Sequence, residues 1–448
     1  MNLAELVHSS AEKHGDRAAV TDVGAGRSLG YEGLARETER VASFLTAQGV
    51  EPGQRIGLIA PNSLAHLPAA FGLLATGACL TPIAVTLPAP ERDQILSEIG
   101  VNGCLVWPGS DALSDAGAGA VLSGGECAGF GFQWIDRDAR PPAGFGALDA
   151  AFVRFTSGTT AHSKGVVLSH EATLARVEAA DRVLGLGPED RILWVLPLAY
   201  HFAVTVTAYV RAGAHMLLCP DSLPATIVRS ARSFGASVLY ASPLHFDRLS
   251  RLPSSGPLAS LRIAMSTSAP ITADVMDRFE SRYGVPVAQA YGLIEAGLPC
   301  INLRRDGTPA RSVGRAVPGY EVAVFSDSGE RLAAGTAGEV GVRGDGLFSA
   351  YYAPWRLREQ VVRDGWFLTG DVGWLDVTGA LHLEGRKKAV IFVAGLKFFP
   401  EEVEECVNRF PGIRESRVFG QTHSRLGQVP RAEIVLASPG CDLEALRQ

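Results

Sequence analysis

A short polar segment between two apolar runs constrains the fold of this chain more than any other feature. Residues 156–164 read Thr-Ser-Gly-Thr-Thr-Ala-His-Ser-Lys. Backbone N–H groups together with Ser and Thr hydroxyls can donate many hydrogen bonds to polyphosphate oxygens. The apolar run at 151–155 predicts a strand before the segment, and Ser169 predicts the N-cap of a helix that begins near Glu171. The segment therefore predicts a nucleotide-binding loop in a layered α/β fold, with an ordinary surface turn as the alternative.

The spacing of this segment distinguishes it from a Walker A loop. Lys164 precedes its glycine, and no Ser or Thr follows the lysine, whereas the Walker A pattern is G-x-x-x-x-G-K-[ST]. A P-loop kinase or ATPase is therefore not expected.

The order of segments predicts an α/β protein with a β-rich part and a small final α+β unit. Helical spacing alternates with short apolar strands through the first half, which is typical of layered α/β sheets. Residues 108–146 are rich in Gly, Ala, Asp and Ser and predict surface loops, and short runs at 313–383 predict a small β-barrel or sandwich. Other predicted elements are helices at 3–14, 31–48, 64–76 and 400–410 and strands at 56–60, 191–196, 214–218, 237–240, 261–265, 390–393, 413–419 and 432–436.

Composition argues against several partners and compartments. With 41 Lys and Arg against 47 Asp and Glu the net charge is −6, so no nucleic-acid partner is expected. Residues 56–90 contain no Asp, Glu, Lys or Arg, but Pro61, Pro68 and Pro82 interrupt them, so a buried strand, helix and strand are predicted rather than a membrane span. Seven scattered cysteines without a C-x-x-C pair, and a start without a secretory signal, predict a cytoplasmic protein.

Further motifs follow the polar segment in order. They are Leu-Pro-Leu-Ala-Tyr-His at 196–201, Ala-Tyr-Gly-Leu-Ile-Glu at 290–295, Ser-Val-Gly-Arg-Ala-Val-Pro-Gly at 312–319, Leu-Thr-Gly-Asp at 368–371, and Gly-Arg-Lys-Lys at 385–388 with Gly395. Together with residues 156–164 they resemble the motifs of the adenylate-forming superfamily, which includes acyl- and aryl-CoA synthetases, peptide-synthetase adenylation domains and luciferases. The resemblance covers nearly the whole chain, from Ile-Gly-Leu-Ile-Ala-Pro-Asn at 56–62 onwards.

The resemblance implies two domains with the active site between them. The implied units are a large N-terminal domain at 1–385, made of α/β subdomains at 1–150 and 151–310 and a β-rich subdomain at 311–385, and a small mobile C-terminal domain at 386–448. Lys388 would lie at the hinge. The family's C-terminal motif carries a lysine that contacts the substrate carboxylate and the α-phosphate. No counterpart follows Lys397, so the final domain is expected to be incomplete at Gln448.

The implied reaction activates a carboxylic acid with ATP, releases pyrophosphate and passes the acyl group from the adenylate to a thiol. Such a protein needs cations, hydrogen-bond donors and positioning more than covalent groups. The implied phosphate cradle is Thr156, Ser157, Gly158, Thr159, Thr160 and Lys164. Glu295 is the implied Mg²⁺ ligand, because Mg²⁺ takes oxygen ligands and few protein carboxylates. Lys164, His201 and Glu295 are the implied catalytic residues.

The remaining nucleotide contacts are implied in three motifs. Tyr291 would stack on the adenine, with Gly292 as a further contact. Asp371 would accept hydrogen bonds from both ribose hydroxyls, and Arg386 would add a cation near ribose or phosphate. Without the resemblance, an aromatic such as Tyr291 is more often part of the core, Asp371 is equally an Asx turn, and Arg386 is an exposed charge beside Lys387 and Lys388.

The implied acid pocket comprises Tyr200, His201, Ser266, Thr267, Ser268 and Gly292. His201 holds the position of an aromatic or histidine gate in the family, with a hydrogen-bonded core histidine as the alternative. Thr267 and Ser268 stand where the family commonly has glycines, and their side chains favour a small or aromatic acid over a long alkyl chain. An α-amino acid is disfavoured, because residues 194–218 contain no Asp or Glu to pair with its ammonium group.

The acceptor thiol stays open between coenzyme A and the phosphopantetheine of an acyl carrier protein. Gly395 matches the region through which the family passes the pantetheine arm. Two alternatives to the ligase remain. One is a non-catalytic protein that binds nucleotide or acyl-adenylate, which the missing lysine motivates; the other is a free-standing adenylation enzyme for a β-amino or aryl acid.

Overall fold

Two compact units make up the chain. The structure is a computed structural model and describes residues 1–108, 120–155, 164–253, 256–305, 307–393, 396–423 and 427–437. The larger unit comprises residues 1–321 and 344–362, and the smaller comprises residues 322–343 and 363–448. The polypeptide therefore enters the smaller unit twice, while the domain boundary implied at residue 385 stays a prediction.

Helices and strands alternate along most of the described residues. The helices there are α1 (Glu5–His14), α2 (Tyr31–Ala47), α3 (His66–Ala75), α4 (Ala89–Ile99), α5 (His170–Leu184), α6 (Leu198–His201), α7 (Thr207–Arg211), α8 (Pro224–Ser233), α9 (Pro243–Ser250), α10 (Ala273–Tyr283) and α11 (Pro400–Asn408). The strands of the same residues are β1 (Ala18–Asp22), β2 (Arg27–Gly30), β3 (Arg55–Ile59), β4 (Cys79–Ile83), β5 (Gly103–Val106), β6 (Ala120–Val121), β7 (Gly131–Trp134), β8 (Ala150–Phe155), β9 (Gly165–Ser169), β10 (Arg191–Trp194), β11 (His215–Leu218), β12 (Val238–Ala241), β13 (Ile263–Ser266), β14 (Val287–Leu293), β15 (Gly297–Asn302), β16 (Arg315–Ala316), β17 (Tyr320–Phe325), β18 (Gly338–Gly344), β19 (Ala350–Tyr351), β20 (Arg356–Leu357), β21 (Phe367–Leu375), β22 (Leu381–Arg386), β23 (Ile391–Val393), β24 (Leu396–Phe398), β25 (Ile413–His423) and β26 (Gly427–Leu436).

The first sheet of the larger unit has a parallel centre. Its nine strands have the order β16-β15-β14-β13-β12-β10-β11-β1-β2. Strands β10, β12, β13 and β14 run parallel, so their carboxyl ends share one edge. Helices α8, α9 and α10 cover one face with buried apolar side chains such as Ile227, Phe246 and Phe279. This apolar layer supports the shared edge of the sheet. In open α/β sheets, ligands bind at the carboxyl ends of the strands, along such an edge.

The second sheet of the larger unit combines a parallel centre with antiparallel edges. Its nine strands have the order β20-β19-β9-β8-β4-β3-β5-β7-β6. Strands β3, β4, β5 and β8 are parallel, whereas β9 runs antiparallel to β8. Residues 156–163 connect β8 to β9, so the polar segment of the sequence joins two adjacent antiparallel strands.

Most elements predicted for the first half are confirmed. Helices α1, α2 and α3 and strand β3 lie within two residues of the predicted bounds. Ser169 is the N-cap of α5, since its Oγ accepts a hydrogen bond from the N–H of Ala172 at 3.0 Å. The prediction of surface loops throughout residues 108–146 is wrong. Strands β6 and β7 extend the second sheet there and bury Phe132. The composition of this region does not indicate them, because small residues surround the short apolar run.

The smaller unit contains two four-stranded sheets, with the orders β17-β18-β21-β22 and β24-β23-β26-β25. Helix α11 belongs to this unit and packs against β25. The sequence predicts a small barrel or sandwich for this stretch, and the first sheet is open rather than closed into a barrel, because its strands follow one another in an open order. Strands β19 and β20 fall within the same stretch of sequence but pair in the second sheet of the larger unit. Alternating short runs identify antiparallel neighbours, but they carry no information on whether a sheet closes on itself.

A membrane span requires a helix of sufficient length and hydropathy. None of the helices in the described segments is both long enough and apolar enough to cross a bilayer.

Candidate active site

An aromatic cluster lies at the carboxyl ends of the parallel strands in the larger unit. Trp194 at the end of β10 and Tyr240 on β12 stack with ring centroids 5.7 Å apart. The His201 ring stands edge-on to both, with centroids 5.6 Å from Trp194 and 5.7 Å from Tyr240. The Tyr240 hydroxyl donates to Thr267 Oγ1 at 3.1 Å. The structure thus brings together His201 and Thr267, which are both predicted for the acid pocket.

His201 is uncharged at neutral pH. Burial, with a smaller contribution from the charge of Arg154, lowers the pKa of the imidazole to about 3. Such an imidazole is a weak base at pH 7, so its side chain suits the wall of a pocket better than proton transfer.

Asn62 fixes the turn that leads to His201. Its Nδ2 donates to the carbonyl of Leu196 at 2.8 Å, and its Oδ1 accepts from the N–H of Leu198 at 2.8 Å. The turn continues into α6 and then into a π-helical turn at Phe202–Val206, a rare form that often occurs at functional sites. Only the motif at 56–62 marks Asn62 in the sequence, and nothing local connects it to a partner more than 130 residues away.

Tyr351 connects two predicted catalytic residues. Its hydroxyl donates to Glu295 Oε1 at 3.0 Å, and Lys164 Nζ lies 4.7 Å from the centre of its ring. The packing of an ammonium group over an aromatic ring is a favourable cation–π contact. No motif of the sequence identifies Tyr351, because its partners are a lysine before β9 and a glutamate after β14.

Glu295 fits a Mg²⁺ ligand. Its Oε2 accepts no hydrogen bond from a described residue, which leaves one carboxylate oxygen for a hard cation. In the described part of the chain no three His, Cys, Asp or Glu side chains are grouped to hold a metal. A single carboxylate that shares Mg²⁺ with substrate phosphates matches the coordination that this ion prefers.

Arg176 supports the backbone around Glu295. This buried side chain donates to the carbonyls of Ile294 at 2.9 Å, Glu295 at 3.4 Å and Gly346 at 3.1 Å. The N–H of Phe348 donates to the Glu295 carbonyl at 2.7 Å as well. These contacts tie the end of β14 to the loop before β19, and the sequence gives no sign of Arg176 because all its acceptors are main-chain groups.

The segment from Ser266 to Ser268 differs in part from the expectation for an acid pocket. Ser266 and Thr267 are buried, but Ser268 is exposed and has a left-handed φ of 75°. The Thr267 hydroxyl is not left unpaired, because it accepts a hydrogen bond from Tyr240. Ser266 Oγ, in contrast, is buried and makes no hydrogen bond to a described group.

The other predicted residues of the larger unit take less central places. Tyr291 lies near the end of β14 and is 7% exposed, and the neighbouring Gly292 is exposed. A Cβ on Gly292 would come 2.8 Å from Cδ2 of Leu298, so a side chain there requires the Leu298 side chain to shift. The Tyr200 side chain is half-exposed, and its carbonyl accepts a hydrogen bond from Arg154.

In the smaller unit, Asp371 and Arg386 form an ion pair. They are cross-strand partners in β21 and β22, and Arg386 Nε lies 2.7 Å from Asp371 Oδ1. The Asp371 N–H also donates to Thr369 Oγ1 at 3.1 Å. Lys388 belongs to the short 3₁₀ turn Lys387–Ala389 that follows β22. The two predicted nucleotide contacts of this unit are therefore brought together by their strands.

Some predicted residues lie outside the described part of the chain. These are Thr156, Ser157, Gly158, Thr159 and Thr160 of the phosphate cradle and Gly395 of the pantetheine region.

A comparison with known families decides the class of protein to which these residues belong. A family model described as AMP-binding enzyme matches residues 7–352. The chain belongs to the AMP-binding enzyme family. This membership confirms the resemblance drawn from the motifs and the mixed α/β fold class.

Individual relatives of this AMP-binding enzyme match it along nearly its full length. It is 30% identical over 430 residues to the indoleacetate–CoA ligase of Aromatoleum aromaticum, with 91% of this chain and 83% of the relative covered. It is 28% identical over 438 residues to the feruloyl-CoA synthase of an Amycolatopsis species, with 96% and 86% covered. The crystal structure of ATP-bound MatB from Rhodopseudomonas palustris matches with a TM-score of 0.83 at 26% identity, with 99% of this chain and 90% of that chain covered.

Proposed function

We propose that this chain activates a small or aromatic carboxylic acid with ATP and Mg²⁺ and transfers the acyl group to coenzyme A. The reaction class, that of an AMP-forming acid–CoA ligase, accords with the family and with the named activities of two relatives. The observation that carries the choice of acid is the aromatic cluster of Trp194, His201 and Tyr240 at the shared strand edge.

Adenylation needs charge compensation more than acid–base chemistry. A carboxylate oxygen attacks the α-phosphorus of ATP, pyrophosphate leaves, and no proton has to move. Lys164 and the residues 156–160 would bind the departing phosphates, and Glu295 would hold Mg²⁺, which neutralises phosphate charge when bound. Tyr351 would keep the Glu295 carboxylate oriented through its hydrogen bond. Tyr291 and Gly292 would contact the adenine and Asp371 and Arg386 the ribose, as the motifs imply.

The aromatic cluster favours a flat acid over a long alkyl chain. Flat aromatic acids can stack against Trp194 and Tyr240 and gain about 0.5–1.5 kcal/mol beyond their buried area.

The acceptor is coenzyme A in this proposal, with an acyl carrier protein as the alternative partner. Gly395 would line the path of the pantetheine arm and Lys388 would act as the hinge. Comparing acyl transfer to free coenzyme A and to a phosphopantetheinylated carrier protein separates the two acceptors.

A pyrophosphate-exchange screen tests the proposal. The panel contains butyrate, hexanoate, laurate, benzoate, cinnamate and indoleacetate, each with ATP and Mg²⁺, and is followed by an assay of acyl-CoA formation. Aromatic and short acids should give the highest kcat/KM. A kcat/KM that rises steadily from butyrate to laurate would contradict the acid assignment. ATP binding without exchange for any acid would instead favour the non-catalytic binding protein.

A further inference from the structure

Among the described residues of the larger unit three arginines are buried, and main-chain carbonyls accept the hydrogen bonds of two of them. Arg55 Nη2 donates to the carbonyls of Gly100 at 2.7 Å and Ala139 at 2.8 Å. Arg176 donates to three carbonyls around Glu295. A guanidinium has five N–H donors, and backbone carbonyls are its usual partners when it serves only to hold a fold together.

Arg154 is the exception. It is 6% exposed, and its one hydrogen bond to a described residue runs from Nη2 to the Tyr200 carbonyl. No Asp or Glu of the described residues forms an ion pair with it. Burial lowers the pKa of its guanidinium to about 10, so the group still carries its charge at neutral pH. A buried cation without a counterion is costly, and folded proteins retain one where an anion joins it.

The position of Arg154 indicates where that anion belongs. The residue lies at the end of β8, directly before the polar segment at 156–163. Its acceptor, the carbonyl of Tyr200, directly precedes His201 in the chain, which places Arg154 beside the aromatic cluster. Arg154 therefore lies beside the cluster that would receive the acid.

We propose that the Arg154 guanidinium binds the carboxylate that undergoes adenylation. The inference rests on the proposed function, because the ligand is the acid of that reaction. The planar fork of Arg154 suits a carboxylate, and its charge offsets the repulsion between the carboxylate and the triphosphate as the two anions approach. Arg154 stays protonated throughout, so the attack on the α-phosphorus and the departure of pyrophosphate balance without it.

The test compares acids with their neutral amides. The acid that is most active in exchange, taken here as benzoate, and the isosteric benzamide are measured as ligands of the wild type and of Arg154→Gln and Arg154→Lys. The wild type should prefer the carboxylate. Arg154→Gln should raise the KM for the acid by about 10- to 150-fold, the loss expected for a charge-assisted hydrogen bond, and remove the preference over the amide. The KM for ATP should change less than threefold.

A charge-conserving variant and a buried-arginine control keep the result interpretable. Arg154→Lys should retain part of the preference for the carboxylate, and it remains informative if Arg154→Gln does not fold. Arg55→Lys removes a buried guanidinium that donates to the carbonyls of Gly100 and Ala139, and it should leave the ratio of acid to amide affinity unchanged.

Three results would overturn the assignment of Arg154. They are an unchanged acid-to-amide ratio in Arg154→Gln, equal losses for acid and amide, and a loss confined to dicarboxylates such as succinate, which would place a second anionic group on Arg154. If the wild type exchanges pyrophosphate with none of the acids, the proposed function is wrong, and the assignment of Arg154, which rests on it, is wrong as well.

Discussion

Individual side chains hold the larger unit together through main-chain acceptors. Arg55, Arg176 and Asn62 each bond backbone groups that lie far away in the sequence. Such contacts depend on the geometry of a planar fork or amide, so lysine or alanine cannot replace them. Conversely, Ser268 shows a side chain at a backbone position that would suit glycine better.

Ser268→Gly should stabilise the larger unit. A left-handed conformation costs a residue other than glycine about 1–2 kcal/mol. Because glycine loses more backbone entropy on folding, it offsets part of this gain in stability. We expect the free energy of unfolding to rise by about 0.5–1 kcal/mol in urea titrations. Ser97→Gly is the control, because Ser97 is an exposed residue of helix α4 and the change there should cost about 0.5 kcal/mol. If the free energy of unfolding changes in the same direction in both variants, Ser268 is not strained.

The motifs predicted some residues of the site and missed others for a physical reason. Lys164, His201 and Glu295 carry groups whose chemistry is recognisable in a short stretch of sequence. Tyr351 and Arg176 become relevant only when the chain folds, since they act across 56 and 118 residues on Glu295 and Ile294. Local spacing contains no information about such pairs.

At the scale of elements, the turn before His201 is the segment on which the pocket depends. It consists of α6 and the π-helical turn, and α6 has only four residues. An isolated helix of this length is not stable, so its conformation comes from the contacts that hold its ends. Asn62 supplies two of those contacts from the loop that follows β3.

Asn62→Ala should therefore damage the acid pocket rather than the nucleotide site. Losing the donor and the acceptor leaves the Leu196 carbonyl and the Leu198 N–H without their partner, at a cost of about 1–3 kcal/mol. The KM for the acid should rise more than the KM for ATP. Asn62→Asp retains the acceptor for Leu198 and should lose less. If both variants change the two KM values in parallel, Asn62 has only a general role in stability.

At the scale of the whole molecule, the layered α/β class follows from the sequence, but the order of the strands does not. Periodicity is local, and it located α1, α2 and α3 correctly. Strand β19, in contrast, pairs with β9 from almost two hundred residues away, and β16 closes the edge of the other nine-stranded sheet. Those pairings depend on which apolar faces meet during folding, which no single segment specifies.

The larger unit should lose stability in acid through three histidines whose pKa values are lowered. Burial lowers the pKa of His66 and of His215 to about 4 and that of His201 to about 3. In the unfolded chain each titrates near 6.5, so below that pH the unfolded state binds more protons than the folded state. The contribution of these neutral histidines to the free energy of unfolding is complete above pH 6.5. It falls by about 1.4 kcal/mol per pH unit for each histidine as the pH drops towards 4.

Urea titrations at pH 7, 6 and 5 measure this dependence. His201→Gln should reduce the slope of the free energy of unfolding against pH by the contribution of one bound proton. The control is His8→Gln, at a half-exposed histidine. A slope that His201→Gln leaves unchanged would show that the imidazole is protonated in the folded protein.

The stacked position of Trp194 gives the pocket an optical reporter of its own. The indole is fully buried and lies 5.7 Å from Tyr240, so its emission depends on what occupies the space beside it. Five other tryptophans contribute background, and subtracting the spectrum of Trp194→Phe isolates the signal. In a stopped-flow instrument the arrival of an acid can then be timed separately from pyrophosphate release and from thiol transfer, without a label on the protein or the substrate.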